Sequence, residues 1–176
     1  MKEAVLISIK PKWCGLIANG TKTAEVRKTK PKLNTPFKCY IYQTVDGRTN
    51  TVDILENNLG KVISEFVCDN IYPIRYEMDG FADFIDCKTS CLKPRDFIVY
   101  GKGKPLYGWY ISDLKIYDEP KELGEFYKFG MLSYDDWLYG IYNGNGGARS
   151  SYESYKNAFK LSKAPQSWCY VEEVKE

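Results

Sequence analysis

The chain predicts an α+β fold: a small, partly closed mixed β-barrel of five or six short strands, with short helices at its flanks. Three observations carry that expectation. Apolar and polar residues alternate in several runs of about four to eight, each bounded by turn residues. Where the spacing turns helical, it lasts only about two turns. The chain's 176 residues suit one core that removes about two thirds of the unfolded surface from water, so residues 1–176 are expected to form a single domain.

Ala4 to Ile9 alternates enough, and is β-branched enough, for a first strand. Pro11 then presets the first turn of a helix, where its missing N–H has no acceptor to satisfy. Trp13, Leu16 and Ile17 fall at i, i+3 and i+4 and share one stripe. Gly20 ends that helix: lacking a Cβ, it enters the left-handed region freely, and the chain reverses just before Lys22. In the strand that follows, Thr23, Glu25 and Arg27 point one way while Ala24 and Val26 point the other. The aliphatic pair is expected to face a core. The polar three then share a surface on which Glu25 and Arg27 can pair.

Thr29 to Pro36 holds two prolines, Lys30 and Lys32, and reads as an exposed basic loop. Phe37 to Gln43 alternates as a strand, and Val45 to Gly60, with Asp46-Gly47 and Asn57-Asn58, reads as an irregular hairpin connection. Lys61 to Ile71 returns as a strand that is apolar on both faces, as expected of one curving around a barrel. Tyr72 to Ser90 reads as a loop with a helical turn near Phe81 to Ile85, and Pro94 opens a helix that Gly101 ends. Leu106 to Tyr117 is the longest strand candidate, with a bulge at Ile111-Ser112-Asp113 where the apolar parity changes. Phe126 to Ser162 reads as a C-terminal helical insert. Ser133 and Asp136, like Ser150 and Glu153, have capping-box spacing on either side of the glycine run Asn143 to Gly147. The aromatic residues around it, Tyr139, Tyr142 and Tyr152, are expected to cover the barrel's open end, with Arg149 among them. Ser167 to Val174 closes as a last strand.

The formal net charge is only +2, but its distribution is uneven. Lys10, Lys12, Lys22, Arg27, Lys28, Lys30, Lys32 and Lys38 stand against Glu25 alone, so the segment 10–38 carries +7 and the remainder −5. A lysine run by itself marks a solvated loop, yet a basic segment on an acidic body suits an anionic ligand better than a membrane surface. The chain has no histidine, which excludes histidine-based triads and the usual general base. Its six cysteines are expected to be free thiols in a cytoplasmic protein, since no apolar leader precedes the first strand. Cys87 and Cys91, without a second pair, make no metal site, and no cofactor is expected. No run is long enough to span a bilayer.

The pattern Gly20-x-Lys22-Thr23-x-Glu25-x-Arg27, preceded by Ile7-Ser8-Ile9-Lys10-Pro11-Lys12, resembles the ASCH domain family. Tyr107-Gly108-Trp109-Tyr110-Ile111-Ser112 and Pro165-Gln166-Ser167-Trp168-Cys169-Tyr170-Val171 are similar to its small phage and bacterial members. The resemblance implies a PUA-like barrel and a link to RNA. Some members are enzymes.

Three functions follow as expectations. The first is RNA or nucleotide binding in a cleft formed by Lys10, Lys12, Trp13, Lys22, Thr23, Glu25, Arg27, Lys28, Trp109 and Ser112, where lysines meet phosphates and aromatic faces stack on bases. The second is hydrolysis, because the resemblance implies amidohydrolases acting on N4-acylated cytidine, or a ribonuclease. In the former, Lys22 matches the family's lysine, but Glu25 stands where a threonine would be. Lys22 and Glu25 then remain as a catalytic acid/base pair, Glu25 activating water and Lys22 stabilising an oxyanion. The third is a protein-binding accessory whose aromatic insert meets a partner.

Overall fold

The structure, a computed structural model, describes residues 2–45, 58–75, 84–130 and 152–174. In chain order these form β1 (Glu3–Ile9), α1 (Pro11–Ala18), β2 (Ala24–Arg27), β3 (Phe37–Gln43), β4 (Lys61–Cys68), β5 (Ile71–Ile74), α2 (Phe84–Ser90), α3 (Pro94–Gly101), β6 (Leu106–Tyr110) and β7 (Ser112–Glu122). A 3-10 turn (Leu123–Glu125), α4 (Tyr152–Phe159) and β8 (Trp168–Glu172) complete them.

The strands make two sheets, a five-stranded one ordered β7-β4-β3-β1-β8 and a three-stranded one ordered β2-β6-β5. β1 and β3 run parallel, with Val5 opposite Cys39, and the other pairs are antiparallel. The expected barrel is thereby corrected: among the described residues the pairings close no ring, because β2 pairs with β6 and not with β1. The mixed α+β character stands.

The strand expected to curve around a barrel, Lys61 to Ile71, and the long strand expected to bulge at Ile111-Ser112-Asp113 are both broken at corners where the chain passes between sheets. One corner is Asp69-Asn70, between β4 and β5; the other is Ile111, between β6 and β7. They are tied together by backbone, the Tyr110 N–H donating to Asn70 O at 3.0 Å, and the second corner is also tied to the start of β2, the Ile111 N–H donating to Thr23 O at 2.9 Å. The parity change at Ile111 is real, since Asp113 takes φ +46° and the β4–β7 register slips between Glu65 and Val67. Each half of the broken strand buries a face against a different sheet, which is why a single period did not fit. The same corner explains β5, which lies within the segment expected to be a loop.

Three clusters fill the layers. Val5, Ile7, Ile9, Ile41, Phe66 and Trp109 meet between the sheets, with Cys14 and Ile17 of α1 beside them. Ala4, Leu6, Tyr40 and Val171 line the outer face of the large sheet, where Phe126 and Leu161 cover them. Val26, Ile74 and Leu106 on the small sheet pack against Phe97 of α3. β1 is therefore buried on both faces, which accounts for its continuous apolar run. Phe126 and Leu161, the ends of the expected insert, seal a sheet face. Residues 131–151, which include Ser133, Asp136, Tyr139, the glycine run, Arg149 and Ser150, lie outside the described residues. So do residues 46–57 of the expected hairpin connection and the start of the helical turn predicted near Phe81.

Gly20 closes α1 as expected, at φ +75°, and the Lys22 N–H returns to Leu16 O at 2.8 Å. α3 ends one residue later than predicted: Gly101 is its last residue and Lys102 takes the left-handed conformation at φ +52°.

The six thiols are free. Cys14, Cys39 and Cys68 are buried, and burial raises the Cys68 thiol to about 12 and the Cys169 thiol to about 11. Iodoacetamide at pH 8 is therefore expected to label Cys87 and Cys91 first and to spare Cys14, Cys39 and Cys68 until denaturant is added. Mass-spectrometric mapping of the alkylated peptides checks this; early labelling of Cys39 would contradict the packing.

Candidate functional site

The turn after α1 delivers Lys22 to the end of α2. A helix leaves its last carbonyls without intrahelical donors, and here the Thr23 N–H donates to Thr89 O at 2.9 Å while Lys22 Nζ donates to Ser90 O at 2.8 Å. Lys22 Nζ also donates to Ala24 O at 2.8 Å and lies 3.3 Å from Glu25 Oε2. Two of the ammonium's three protons thus go to backbone carbonyls, and its charge is paired with Glu25. The charge also sits 5.3 Å from the centre of the Trp13 ring.

β2 presents Glu25 and Arg27 to the space between the sheets, not to solvent. Glu25 lies opposite Trp109 in the β2–β6 pairing, so the two share the inward face. The face expected to line a cleft is covered: all four residues of β2 are buried, Ala24 and Val26 included. Ala24 and Val26 face the other way, Val26 packing towards α3. Arg27 Nη2 sits 3.2 Å from Glu25 Oε1 and donates to Ser8 O at 2.6 Å, so its guanidinium ties β2 to β1 where no backbone ladder does. Arg27 Nε is buried without an acceptor.

Glu25, 7% exposed, is thus held between two cations, one on each oxygen. Burying a lone carboxylate would cost several kcal/mol, and pairing with hydrogen bonding is what makes it tolerable. Its oxygens keep lone pairs beyond these contacts, for a carboxylate offers about four acceptor sites. Arg27 likewise carries more donors than it uses here. Cys14 is no nucleophile: burial first, then the neighbouring Glu25 charge, raise its thiol far above the ordinary range.

These groups wall a cavity of about 700 Å³. Ser8, Ile9 and Lys10 contribute the end of β1, Trp13 the face of α1, and Thr44 and Val45 the exit of β3. Leu92, Asp96, Val99 and Tyr100 of the α2–α3 region close the far side, with Gln166 before β8. Val45 and Val99 are 68% and 62% exposed, and Tyr100 is exposed beside them, so an apolar mouth leads to an ionic wall.

Of the residues singled out by sequence, Lys10, Trp13, Lys22, Glu25 and Arg27 line this cavity. Lys28 is exposed at its edge, its Nζ 4.8 Å above the Tyr100 ring. Lys12 is exposed, 4.8 Å from the Trp13 ring. Three lie elsewhere. Thr23 is committed through its backbone to Thr89 and Ile111; Ser112 Oγ donates to Val67 O at 2.9 Å on β7; Trp109 is 0% exposed in the core. No face of Trp109 is open to a base, which removes it from the ligand contacts. The residues that sequence reasoning missed are Ser8, Ile9 and Val26 close to the motif and, farther along the chain, Thr44, Val45, Leu92, Asp96, Val99, Tyr100 and Gln166. The latter are far apart along the chain, and no local pattern joins them. Among the described residues no group of three or more cysteine or carboxylate side chains could hold a metal ion, and no helix is long and apolar enough to cross a membrane.

No protein-family profile and no curated protein sequence matches the chain. Solved structures do. A tyrosine-to-phenylalanine mutant of ZmASCH from Zymomonas mobilis superposes with a TM-score of 0.54 at 17% identity, covering 98% of this chain and 92% of that one. A serine-to-alanine mutant of the same protein gives 0.53 at 17% identity, over 97% and 89% of the two chains. The crystal structure of ASCH from Zymomonas mobilis gives 0.51 at 18% identity, over 88% and 92%. The chain therefore has the fold of an ASCH domain, as the motifs around Lys22 implied.

Proposed function

We propose that this ASCH-fold chain binds RNA or a nucleotide, with a nucleobase seated in the cavity beside Lys22, Glu25 and Arg27. The observation that carries the reading is Glu25, buried between two cations on the cavity wall with Trp13 alongside. A base edge offers amino and ring N–H donors to a fixed carboxylate and carbonyl acceptors to a guanidinium. Its flat faces suit Trp13 and the apolar mouth at Val99 and Tyr100. The cavity also falls within the roughly 300–1,000 Å³ usual for small-ligand sites.

Binding asks less of these residues than hydrolysis does. Lys22 already gives protons to Ala24 O and Ser90 O, and its charge is paired with Glu25, so meeting a developing oxyanion would draw it away from one of these partners. Turnover of N4-acylated cytidine or of RNA, lost in Lys22→Ala, would place the chain among hydrolases instead. Capture of a protein partner that is indifferent to salt would favour the accessory reading.

Tryptophan fluorescence titrations with the four nucleoside monophosphates and a short single-stranded RNA test the proposal. Affinity is expected to fall as salt rises, through counterion release. Trp13→Ala is expected to weaken binding by about 1–3 kcal/mol, the value of one base stacked on an aromatic ring. No binding of any of these ligands at low salt, or an affinity unchanged in Trp13→Ala, would overturn it.

A further inference from the structure

We infer that Gln166 is the specificity-determining residue of the cavity and that the base it selects is adenine. The inference rests on the nucleobase reading of the cavity and adds which base that is.

The first observation is which polar groups on the cavity wall are still available. Lys22, Glu25 and Arg27 are largely committed to one another and to backbone carbonyls. Asp96 turns to its own helix, its Oδ2 accepting from the Lys93 N–H at 2.8 Å. Ser8 uses all three of its polar groups: its N–H donates to Ser167 O at 2.9 Å, its hydroxyl donates to Pro165 O at 2.7 Å, and its carbonyl accepts from Arg27. Gln166 differs from all of these. It carries the only side-chain amide among the lining residues, it is exposed at the mouth, and among the described residues that amide has no hydrogen-bond partner.

The second observation is that the backbone carrying this amide is held. Ser8 bonds the residues on either side of Gln166, and the chain then enters β8 directly, with Trp168 opposite Ile7. Arg27 hangs on the carbonyl of the same Ser8, which is 6% exposed, so the ionic wall and the lip share one point of attachment. An amide on a fixed backbone gives up only its own side-chain freedom on meeting a ligand.

The chemistry of a carboxamide then chooses the base. The edge used in base pairing is turned to Glu25 and Arg27, so the lip needs a second polar edge, and only a purine has one. Gln166 offers one donor group beside one acceptor. Adenine's outer edge is the complement, the N7 acceptor beside the N6 amino donor. Guanine presents N7 and O6 there, two acceptors, one of which would face Gln166 Oε1 with no proton between them.

The test titrates the wild type and Gln166→Ala, by tryptophan fluorescence, with the four nucleoside monophosphates and with 7-deazaadenosine monophosphate, in which a C–H replaces the N7 acceptor. The wild type is expected to bind adenosine monophosphate about tenfold more tightly than guanosine monophosphate, the scale of one two-bond base contact. It is also expected to bind the 7-deaza analogue several-fold more weakly than the parent. In Gln166→Ala the adenine preference should vanish, and parent and analogue should bind alike, a coupling that a purely structural role for Gln166 would not produce. Gln166→Glu, which has acceptors only, should not restore the preference. Nucleotides that bind with no adenine preference, or an analogue that binds the wild type as well as its parent does, overturn the inference and leave the cavity reading standing. If none of the five ligands binds at low salt, the cavity reading falls and takes the inference with it.

Discussion

Replacing Lys22 with methionine is expected to destabilise the protein by about 3–5 kcal/mol, the usual consequence of removing one partner from a buried ion pair. Lys22 is 3% exposed and Glu25 is 7% exposed, so water cannot take the place of the lost contacts. The substitution keeps the aliphatic volume but strips the donor from Ala24 O and from Ser90 O, and leaves Glu25 with Arg27 alone. Unfolding in urea, followed by circular dichroism, measures the loss. Glu25→Gln in the same background should cost less than it does in the wild type, because the carboxylate it removes no longer has its Lys22 partner. A coupling of about 0.5–3 kcal/mol is expected for residues in direct contact. Lys22→Arg should not restore stability, since a planar fork cannot reproduce three donors radiating from one nitrogen. A loss below about 1 kcal/mol for Lys22→Met, the range of exposed pairs, would mean that the ammonium is not held as described.

Trp109→Ala is expected to cost a comparable amount, about 3–5 kcal/mol, as for other buried aromatic truncations. The ring is wholly buried between the sheets, edge-on to Phe37 at 6.1 Å and tilted against Trp168 at 5.8 Å. Trp109→Phe should recover most of the loss. It keeps an aromatic ring among these neighbours and deletes an indole N–H that is buried without an acceptor. Trp13→Ala is the contrasting case: Trp13 is only partly buried, so its removal should act mainly on affinity. If Trp109→Ala folds with wild-type stability yet loses nucleotide binding, the assignment of the two tryptophans is reversed.

Trp109 also illustrates how far local pattern reaches. An alternating run marks a residue as facing one side or the other of a strand, but not which side will be covered. Sequence placed Glu25 and Arg27 on one face of β2 and foresaw their pairing, and both hold. It set that face in a ligand cleft, against the usual preference of polar side chains for water, without naming what packs opposite. What covers it is the second sheet. β6 sets Trp109 opposite Glu25, and β1 offers Ser8 O to Arg27, so the charges find partners inside. The long strands at Lys61 to Ile71 and Leu106 to Tyr117 failed in a related way. Each spans two sheets, and a period read across a corner averages two environments.

Gly20, Pro11, the apolar stripe of α1 and the run of β3 were legible because their causes are local: a left-handed turn, a fixed φ, a helical period, a two-residue alternation. The ASCH fold and the identity of Lys22 and Glu25 as paired groups came from the same short stretch. The cavity did not. Val99 and Tyr100 of α3, Thr44 and Val45 after β3, and Gln166 before β8 are brought beside Lys22 by sheet packing. The anchoring of the basic loop by Trp168 and Tyr170 spans more than a hundred residues of chain. Backbone conformation is decided by neighbours along the chain, whereas a hollow is decided by which surfaces fail to meet when distant elements pack, and only the folded arrangement contains that information.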